Sequence, residues 1–232
     1  MIDFHSHILP GIDDGAKDID EALQLLDSLK EQGITTVVAT PHYHGECSIK
    51  RFLHNRDTAY KNLKLAMEQS GGDYPEIVLG AEVAVNEFIV RHQGLDRLCI
   101  EGTNYILLEM PNKYWPPLLY DIIYNIAGKY HLKVIIAHID RYFSLIGNNK
   151  KIVRLINMQP VFQINSYSMK YLGGKKLIDM MEFFECDYVF GTDCHNLTNR
   201  KACYKEPLEY FSNKYGKYFV DKAKSCGEKI LP

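Results

Sequence analysis

Apolar residues along this chain fall into short runs separated by stretches of helical period. Seven runs read as strands, at 2–4, 35–39, 76–79, 105–108, 134–137, 161–164 and 188–190. Most are continuous rather than alternating. A continuous run suits a strand of a parallel sheet, where both sides of the pleat meet apolar neighbours. Between the runs, Ala22, Leu25, Leu26 and Leu29 share one face of a helix that Gly33 ends. Leu118, Ile122, Ile123 and Ile126 mark a second helix behind Pro116-Pro117, and Leu177, Met180, Met181 and Phe184 mark a third. Strands alternating with helices predict βαβ units and an α/β fold. Seven such units in 232 residues close more economically into a barrel than into an open sheet.

The residues at or just past the C-terminal end of each strand share a chemistry. His5 and His7 follow the first strand, His42 the second and Glu82 the third. The fourth ends at Glu109, the fifth at His138 and the sixth at Asn165, and the seventh is followed by Asp193 and His195. From His7 onward the intervals are 35, 40, 27, 29, 27 and 28 residues. In a βα barrel the carboxyl ends of the strands converge on one face, where active sites are built. The spacing therefore gathers imidazoles and carboxylates into one pocket, and these are metal ligands without thiolate.

Each motif has a plainer alternative. His5-Ser6-His7 places two imidazoles on one side of an extended segment, which suits one ion but also fits an ordinary core pair. Asp193-Cys194-His195 mirrors it, with a helix-capping Asp as the alternative. Cys194 alternates away from the pocket and reads as a buried structural thiol. Glu82 and Glu109 stand in apolar surroundings, where a carboxylate needs a cation or an arginine. Glu82 is the candidate for bridging two ions. Asp13-Asp14 reads as a turn with solvated acids, yet its place over the barrel mouth makes Asp14 a candidate ligand. Arg141 and Arg200 lie close after His138 and His195; beside metal ions, arginine suits the bidentate clamping of a phosphate. His44 is near enough to contact a substrate. His54, His92 and His131 read as surface or helix-end residues. Tyr114, Trp115 and Tyr120 either rim the entrance or pack beneath it.

Composition narrows the classes. The chain is 46% hydrophobic and 24% charged, with a formal net charge of −2, which excludes a disordered or collagen-like chain. A near-neutral balance argues against bulk electrostatic binding to nucleic acid or an anionic membrane. No apolar run approaches the roughly 20 residues of a membrane span, and the first residues have no signal-peptide pattern. A cytoplasmic location is expected, with the six cysteines as reduced thiols. Cys194 and Arg200 do not make a cysteine-phosphatase loop, because the residues between them include no glycine to let the backbone curl around phosphate.

The opening Asp3-Phe4-His5-Ser6-His7-Ile8-Leu9-Pro10-Gly11-Ile12-Asp13-Asp14-Gly15 resembles the PHP (polymerase and histidinol phosphatase) superfamily. Within it, the stretch closely resembles the manganese-dependent bacterial protein-tyrosine phosphatases of capsule and exopolysaccharide loci. Thr40-Pro41-His42, Gly80-Ala81-Glu82, Leu108-Glu109, Ala137-His138-Ile139-Asp140-Arg141-Tyr142 and Asp193-Cys194-His195-Asn196 look like its later motifs in order. The resemblance spans roughly residues 1–205. It implies a distorted (β/α)7 barrel, a single PHP-type domain over 1–232, holding three divalent ions, with Mn expected and Fe or Zn as alternatives. By the same resemblance, His5, His7, Glu82 and Asp193 hold the first ion; Glu82, Glu109 and His138 the second; Asp14, His42 and His195 the third. Carboxylates at Asp14 and Glu109, where histidinol phosphatases more usually carry His, resemble the tyrosine-phosphatase branch. The implied activity is hydrolysis of phosphotyrosine on a protein, a bacterial tyrosine autokinase, by a hydroxide held between ions, with Arg141 and Arg200 on the phosphate. A small-molecule phosphatase such as a histidinol phosphatase is the alternative. A nuclease module and a non-catalytic metal-binding module are more distant ones.

Overall fold

The structure is a computed structural model that describes residues 1–112, 114–146 and 149–231. Strands β1 (Ile2–Ser6), β2 (Thr36–Ala39), β3 (His42–Tyr43), β4 (Glu76–Leu79) and β5 (Glu82–Ala84) are followed by β6 (Tyr105–Glu109), β7 (Lys133–Ile136), β8 (Val161–Asn165) and β9 (Tyr188–Gly191). The helices are α1 (Ile19–Glu31), α2 (Ile49–Ser70), α3 (Pro117–Tyr130), α4 (Ile139–Ile146), α5 (Asn149–Ile156), α6 (Leu172–Phe183), α7 (Lys205–Tyr215) and α8 (Tyr218–Ile230). Each of the seven expected strands is present, with ends displaced by a residue or two.

All strand pairs are parallel, in the orders β1-β2-β4 and β3-β5-β6-β7-β8-β9. The two sheets are one ring, kinked twice. β2 continues into β3 through Thr40-Pro41, and β4 into β5 through Gly80-Ala81, with the neighbour relation kept on both sides of the kink. Pro41 has no N–H for a ladder, but its carbonyl accepts from the Glu82 N–H at 3.0 Å, and Gly80 N–H reaches Ala39 O at 2.9 Å. His42 and Glu82 therefore open the short second strands rather than trail the first ones. The ring closes where Asp193 N–H donates to His5 O at 2.8 Å and His7 N–H to Cys194 O at 2.9 Å, across a Ser6–Cys194 bridge. The result is a distorted seven-stranded barrel.

Strand alternation explains the continuous apolar runs. Val38, Leu107, Ile135 and Val189 join Phe4 in one buried cluster, closed by Cys226 and Ile230 of α8. Their neighbours Val37, Ile106, Leu108, Ile136 and Tyr188 belong to the larger cluster shared with the surrounding helices. Each fully buried side chain of this size contributes roughly 1.5–3 kcal/mol. The C-terminal helix α8 sits so close that a Cβ on Gly227 would meet the Phe4 ring at 2.7 Å.

The helices depart from the sequence reading in detail. Pro117 is the first residue of α3, and Leu119, Tyr120, Ile122, Ile123 and Ile126 form its buried face, while Leu118 is exposed. Three adjacent apolar residues left that phase ambiguous. In α6, Leu177, Ile178 and Met181 are buried, Met180 only partly, and Phe184 lies past the helix end. Helix α2 went unread because its buried Ile49, Phe52, Leu53 and Leu63 are sparse over 22 residues. Its ends are signalled: Ser48 accepts from Arg51 N–H, and Gly71 takes the left-handed conformation. All six cysteines are free. Among the described residues no helix is long and apolar enough to cross a membrane.

Candidate metal centre

β1 carries one extra residue against β2 between Asp3 and Ser6. Such a bulge re-aims side chains near a strand end, and here His5 and His7 come together with their Nε2 atoms 3.1 Å apart. The opposite nitrogen of each ring is committed. His5 Nδ1 meets Gln163 Oε1 at 2.9 Å, and His7 Nδ1 meets Asp13 Oδ2 at 2.8 Å. The Gln163 oxygen also accepts the His138 backbone N–H at 2.6 Å, so it is an acceptor toward both. Asp13 accepts the Gly15 and His42 N–H groups as well. Each Nδ1 must therefore donate, and in neutral rings each Nε2 presents a lone pair.

Those lone pairs face one another and a carboxylate. Glu82 is 1% exposed, with Oε2 3.2 Å from both His5 Nε2 and His7 Nε2 and 3.0 Å from His42 Nδ1. Its Oε1 lies 2.9 Å from His138 Nε2. Asp193 Oδ1 stands 3.7 and 3.5 Å from the same two imidazoles. Among the buried atoms without a hydrogen-bond partner are Glu82 Oε2, His42 Nδ1, His138 Nδ1 and His195 Nε2. Converging lone pairs and orphaned acceptors are repulsive unless protons or cations lie among them. The donor set, imidazole and carboxylate, fits divalent cations.

Three groupings bring ligand atoms within reach of a common ion: His5, His7 and Asp193; His7, Asp14, His42 and His195; and His42, Glu82 and Glu109. Asp14 is exposed, but its Oδ1 lies 3.3 Å from both His42 Nε2 and His195 Nε2. His138 joins through Glu82 and stands 3.6 Å from Glu109. All nine sequence-nominated side chains therefore meet in one cluster. His42 is within reach of both the Asp14 and the Glu82–Glu109 groups, a wider reach than the resemblance assigned to it.

Two of these residues, His138 (φ 32°) and Asp193 (φ 54°), hold left-handed backbone. That conformation is costly without glycine and is kept where surrounding bonds over-determine it. Gln163 pins the His138 amide. The Asp193 amide is held by His5 O, and its carbonyl lies 2.9 Å from His195 Nδ1.

Electrostatics divide the histidines. Burial alone would lower His7, but Asp13 and Glu82 outweigh it and push it up to about 10. Burial is likewise outweighed at His138, which Glu109 and Glu82 push up to about 9. His195 goes the other way: burial and the His7 cation lower it to about 4, leaving a neutral ring. Glu82 would be raised by burial, yet His5, His138 and His42 hold it well below the ordinary carboxylate range. Without ions, His7 and His138 thus hold protons at neutral pH, which ligation must expel. Calorimetric titration with Mn²⁺ near pH 7, in buffers of different ionisation enthalpy, should show net release of roughly two protons. The sign for stability follows: raised histidines stabilise the ion-free protein below their ordinary 6.5, and that contribution fades as pH rises through about 9 and 10. Heats independent of buffer would contradict this.

Both nominated arginines reach the cluster. Arg141 Nη2 donates to Asp193 Oδ2 at 2.8 Å, and Arg200 Nη2 to Asp193 Oδ1 at 2.9 Å. Arg200 Nη1 also touches Asp14, and Arg141 Nη1 lies 3.8 Å from Glu109. About a third of each side chain stays exposed, so their remaining donors are open to an anion. His44 is exposed, its ring 5.1 Å from that of His42. Trp115 and Tyr120 pack in the core, while Tyr114 is exposed. Cys194 is fully buried and its thiol is pushed up by that burial.

Sequence reasoning missed the supporting residues. Asp13 was assigned to solvent, yet it is the His7 partner. Gln163 and Asp3 were not nominated. Asp3 accepts from the Thr192 hydroxyl at 2.6 Å and its N–H at 2.8 Å, fixing the strand end that carries Asp193. Asn165 bridges Gln163 to Asp193. Asp13 had a local signal, two residues before a glycine whose N–H it accepts; Gln163 had none.

The family model for capsular polysaccharide synthesis, CpsB/CapC, matches residues 1–229. This chain belongs to that family. It is 29% identical to tyrosine-protein phosphatase YwqE of Bacillus subtilis, over 93% of this chain and 85% of that protein. It is also 29% identical to tyrosine-protein phosphatase CpsB of Streptococcus pneumoniae, over 93% and 91%. Its fold matches a solved structure from work on those two proteins, described as metal-dependent tyrosine phosphatases, at a TM-score of 0.83 and 23% identity, over 100% of this chain and 94% of that one. A phosphotriesterase homology protein of Escherichia coli shares the fold more distantly, at a TM-score of 0.55 and 12% identity, over 100% and 98%.

Proposed function

We propose that this chain is a metal-dependent protein-tyrosine phosphatase that cleaves phosphotyrosine on a bacterial tyrosine autokinase controlling capsular or exopolysaccharide synthesis in the cytoplasm. The observation that carries the reading is the pair of buried His5 and His7 Nε2 atoms, 3.1 Å apart and facing Glu82. Family membership and the tyrosine-phosphatase relatives support the substrate class. Three divalent ions, Mn²⁺ by preference, would be held by His5, His7, Glu82 and Asp193; by Glu82, Glu109 and His138; and by Asp14, His42 and His195. When bound, such ions supply Lewis-acid charge to a phosphoryl group and a nucleophile at neutral pH.

The chain's own residues do the rest. Gln163 and Asp13 fix the His5 and His7 tautomers and so aim their lone pairs. Arg141 and Arg200 stand side by side on Asp193, and their free N–H donors meet charge that grows on the phosphoryl oxygens in the transition state. A tyrosine phenolate, with a pKa of about 10, leaves without strong protonation. The test is chelation of the purified protein, repletion with Mn²⁺, Fe²⁺ or Zn²⁺, and rates on a phosphotyrosine peptide and on histidinol phosphate. Chelation should abolish turnover, Mn²⁺ should restore it, and kcat/KM should favour the peptide at least tenfold (roughly the 1.4 kcal/mol of one good contact). Chelator-resistant turnover sinks the metal reading; a preference for histidinol phosphate sinks the substrate reading.

A further inference from the structure

Two clefts flank the metal cluster, and their charges differ. One, of about 500 Å³, carries Asp13, Asp14 and Glu46 beside His42 and His44, with no lysine or arginine in its lining. The other, of about 650 Å³, is lined by Arg141, Arg200 and Asp193 together with Tyr167, Tyr171 and Lys201. Its carboxylates are engaged. Asp193 receives both arginines, Glu206 lies 2.6 Å from Lys170 Nζ, and half-buried Asp140 accepts the Asn165 N–H. Lys201 is exposed and makes no ion pair with another described residue.

Tyr167 belongs to the short 3₁₀ turn Ser166–Lys170 that follows β8. Its ring and that of Tyr171 meet edge-on at 5.3 Å, and both side chains are about half exposed. Two neighbouring exposed rings make a rigid apolar wall at little entropic cost. A phosphotyrosine carries −1.5 to −2 charges. In the first cleft Asp13 and Asp14 are engaged by His7, His42, His195 and Arg200, which leaves Glu46 as its uncommitted acid among the described residues. An acidic peptide segment therefore meets a like charge there and an opposite one, Lys201, in the second.

Resting on the phosphatase reading, we propose that the Arg141–Lys201 cleft is the phosphopeptide groove, with the phosphate at Arg141 and Arg200, a flanking side chain on Tyr167 and Tyr171, and an acidic flanking residue facing Lys201. The preferred substrate is thus a phosphotyrosine with acidic neighbours, and the specificity residues are Tyr167, Tyr171 and Lys201.

The test compares KM for two phosphotyrosine peptides, one acidic-flanked and one basic-flanked, on the metal-loaded protein. The wild type should favour the acidic peptide, roughly fivefold as for an exposed charge contact. Lys201→Glu should erase or invert that ratio with kcat little changed. Joint replacement of Tyr167 and Tyr171 by Ala should raise KM for both peptides. Glu46→Lys, in the opposite cleft, should leave the ratio where it was. The inference is overturned if Lys201→Glu leaves the ratio at the wild-type value or if Glu46→Lys moves it. If the wild type turns over no phosphotyrosine peptide at all, the phosphatase reading falls first and this inference with it.

Discussion

Glu82→Gln is expected to lower kcat/KM by roughly 10³-fold or more and to strip metal from the protein while leaving it folded. Removing one electrostatic stabiliser commonly costs about 10²–10³ in rate, and outer-shell changes alone cost 10–100-fold in metal affinity. Glu82 exceeds either case, because four imidazole nitrogens surround its carboxylate within 3.2 Å. The amide keeps the shape and loses the charge. It no longer balances the protons that His7 and His138 hold in the ion-free protein. The ion-free variant should therefore melt below the ion-free wild type, since taking one partner from a buried ion pair leaves the protons of His7 and His138 without their balancing charge. The decisive measurements are metal content per folded protein and Tm with and without chelator. Wild-type metal content and activity within threefold in Glu82→Gln would remove Glu82 from the centre of the site.

How much of this was legible beforehand follows from the range over which each signal acts. Strand ends are local: a run of apolar residues stops, and a His, Asp or Glu stands next to it. The barrel then does the long-range work of assembly, so eight candidate ligands could be named at strand ends, and Asp14 in the loop after the first, without knowing any contact between them. The supporting residues are different in kind. Gln163 is 158 positions from His5, and nothing near it in sequence marks it as the residue that fixes an imidazole. Asp3 resembles any strand-end acid until Thr192 is placed beside it. The kinks at Thr40-Pro41 and Gly80-Ala81 coincide with a proline and a glycine, but the strand pattern alone did not show them. Their consequence, that His42 and Glu82 pair in register on the second short strands, needed the neighbouring strand. Amphipathic helices were legible where the apolar face was dense, as in α1, and invisible where it was sparse, as in α2.

The loop over β1 offers the sharpest steric test. Gly15→Ala is expected to dislodge Asp13 and Asp14 together. An ideal Cβ on Gly15 would stand 2.2 Å from the His7 carbonyl oxygen, 2.6 Å from His7 Cβ and 2.9 Å from Asp13 Oδ1. The approach is this close because the loop folds back onto the strand end: Ala16 N–H donates to His7 O at 3.0 Å, Gly11 N–H to Ala16 O at 2.8 Å, and Gly15 N–H to Asp13 Oδ1 at 2.9 Å. A backbone oxygen cannot rotate aside, so the loop must move by on the order of an ångström. That displacement breaks the 2.8 Å contact that sets the His7 tautomer and withdraws Asp14 from His42 and His195. Overpacking of this kind costs about 1–3 kcal/mol, so Tm should fall by roughly 3–10 °C in a chain of this size. Turnover should fall much further, by about 10²-fold or more. Leu26→Ala is the comparison, since Leu26 is fully buried in α1. It should cost about 2–5 kcal/mol, more than the glycine change, yet keep wild-type metal and turnover per folded molecule. Equal losses of metal in the two variants, once corrected for the folded fraction, would reduce Gly15 to a packing residue. Loss confined to Gly15→Ala would tie the close approach of this loop to the chemistry of the site.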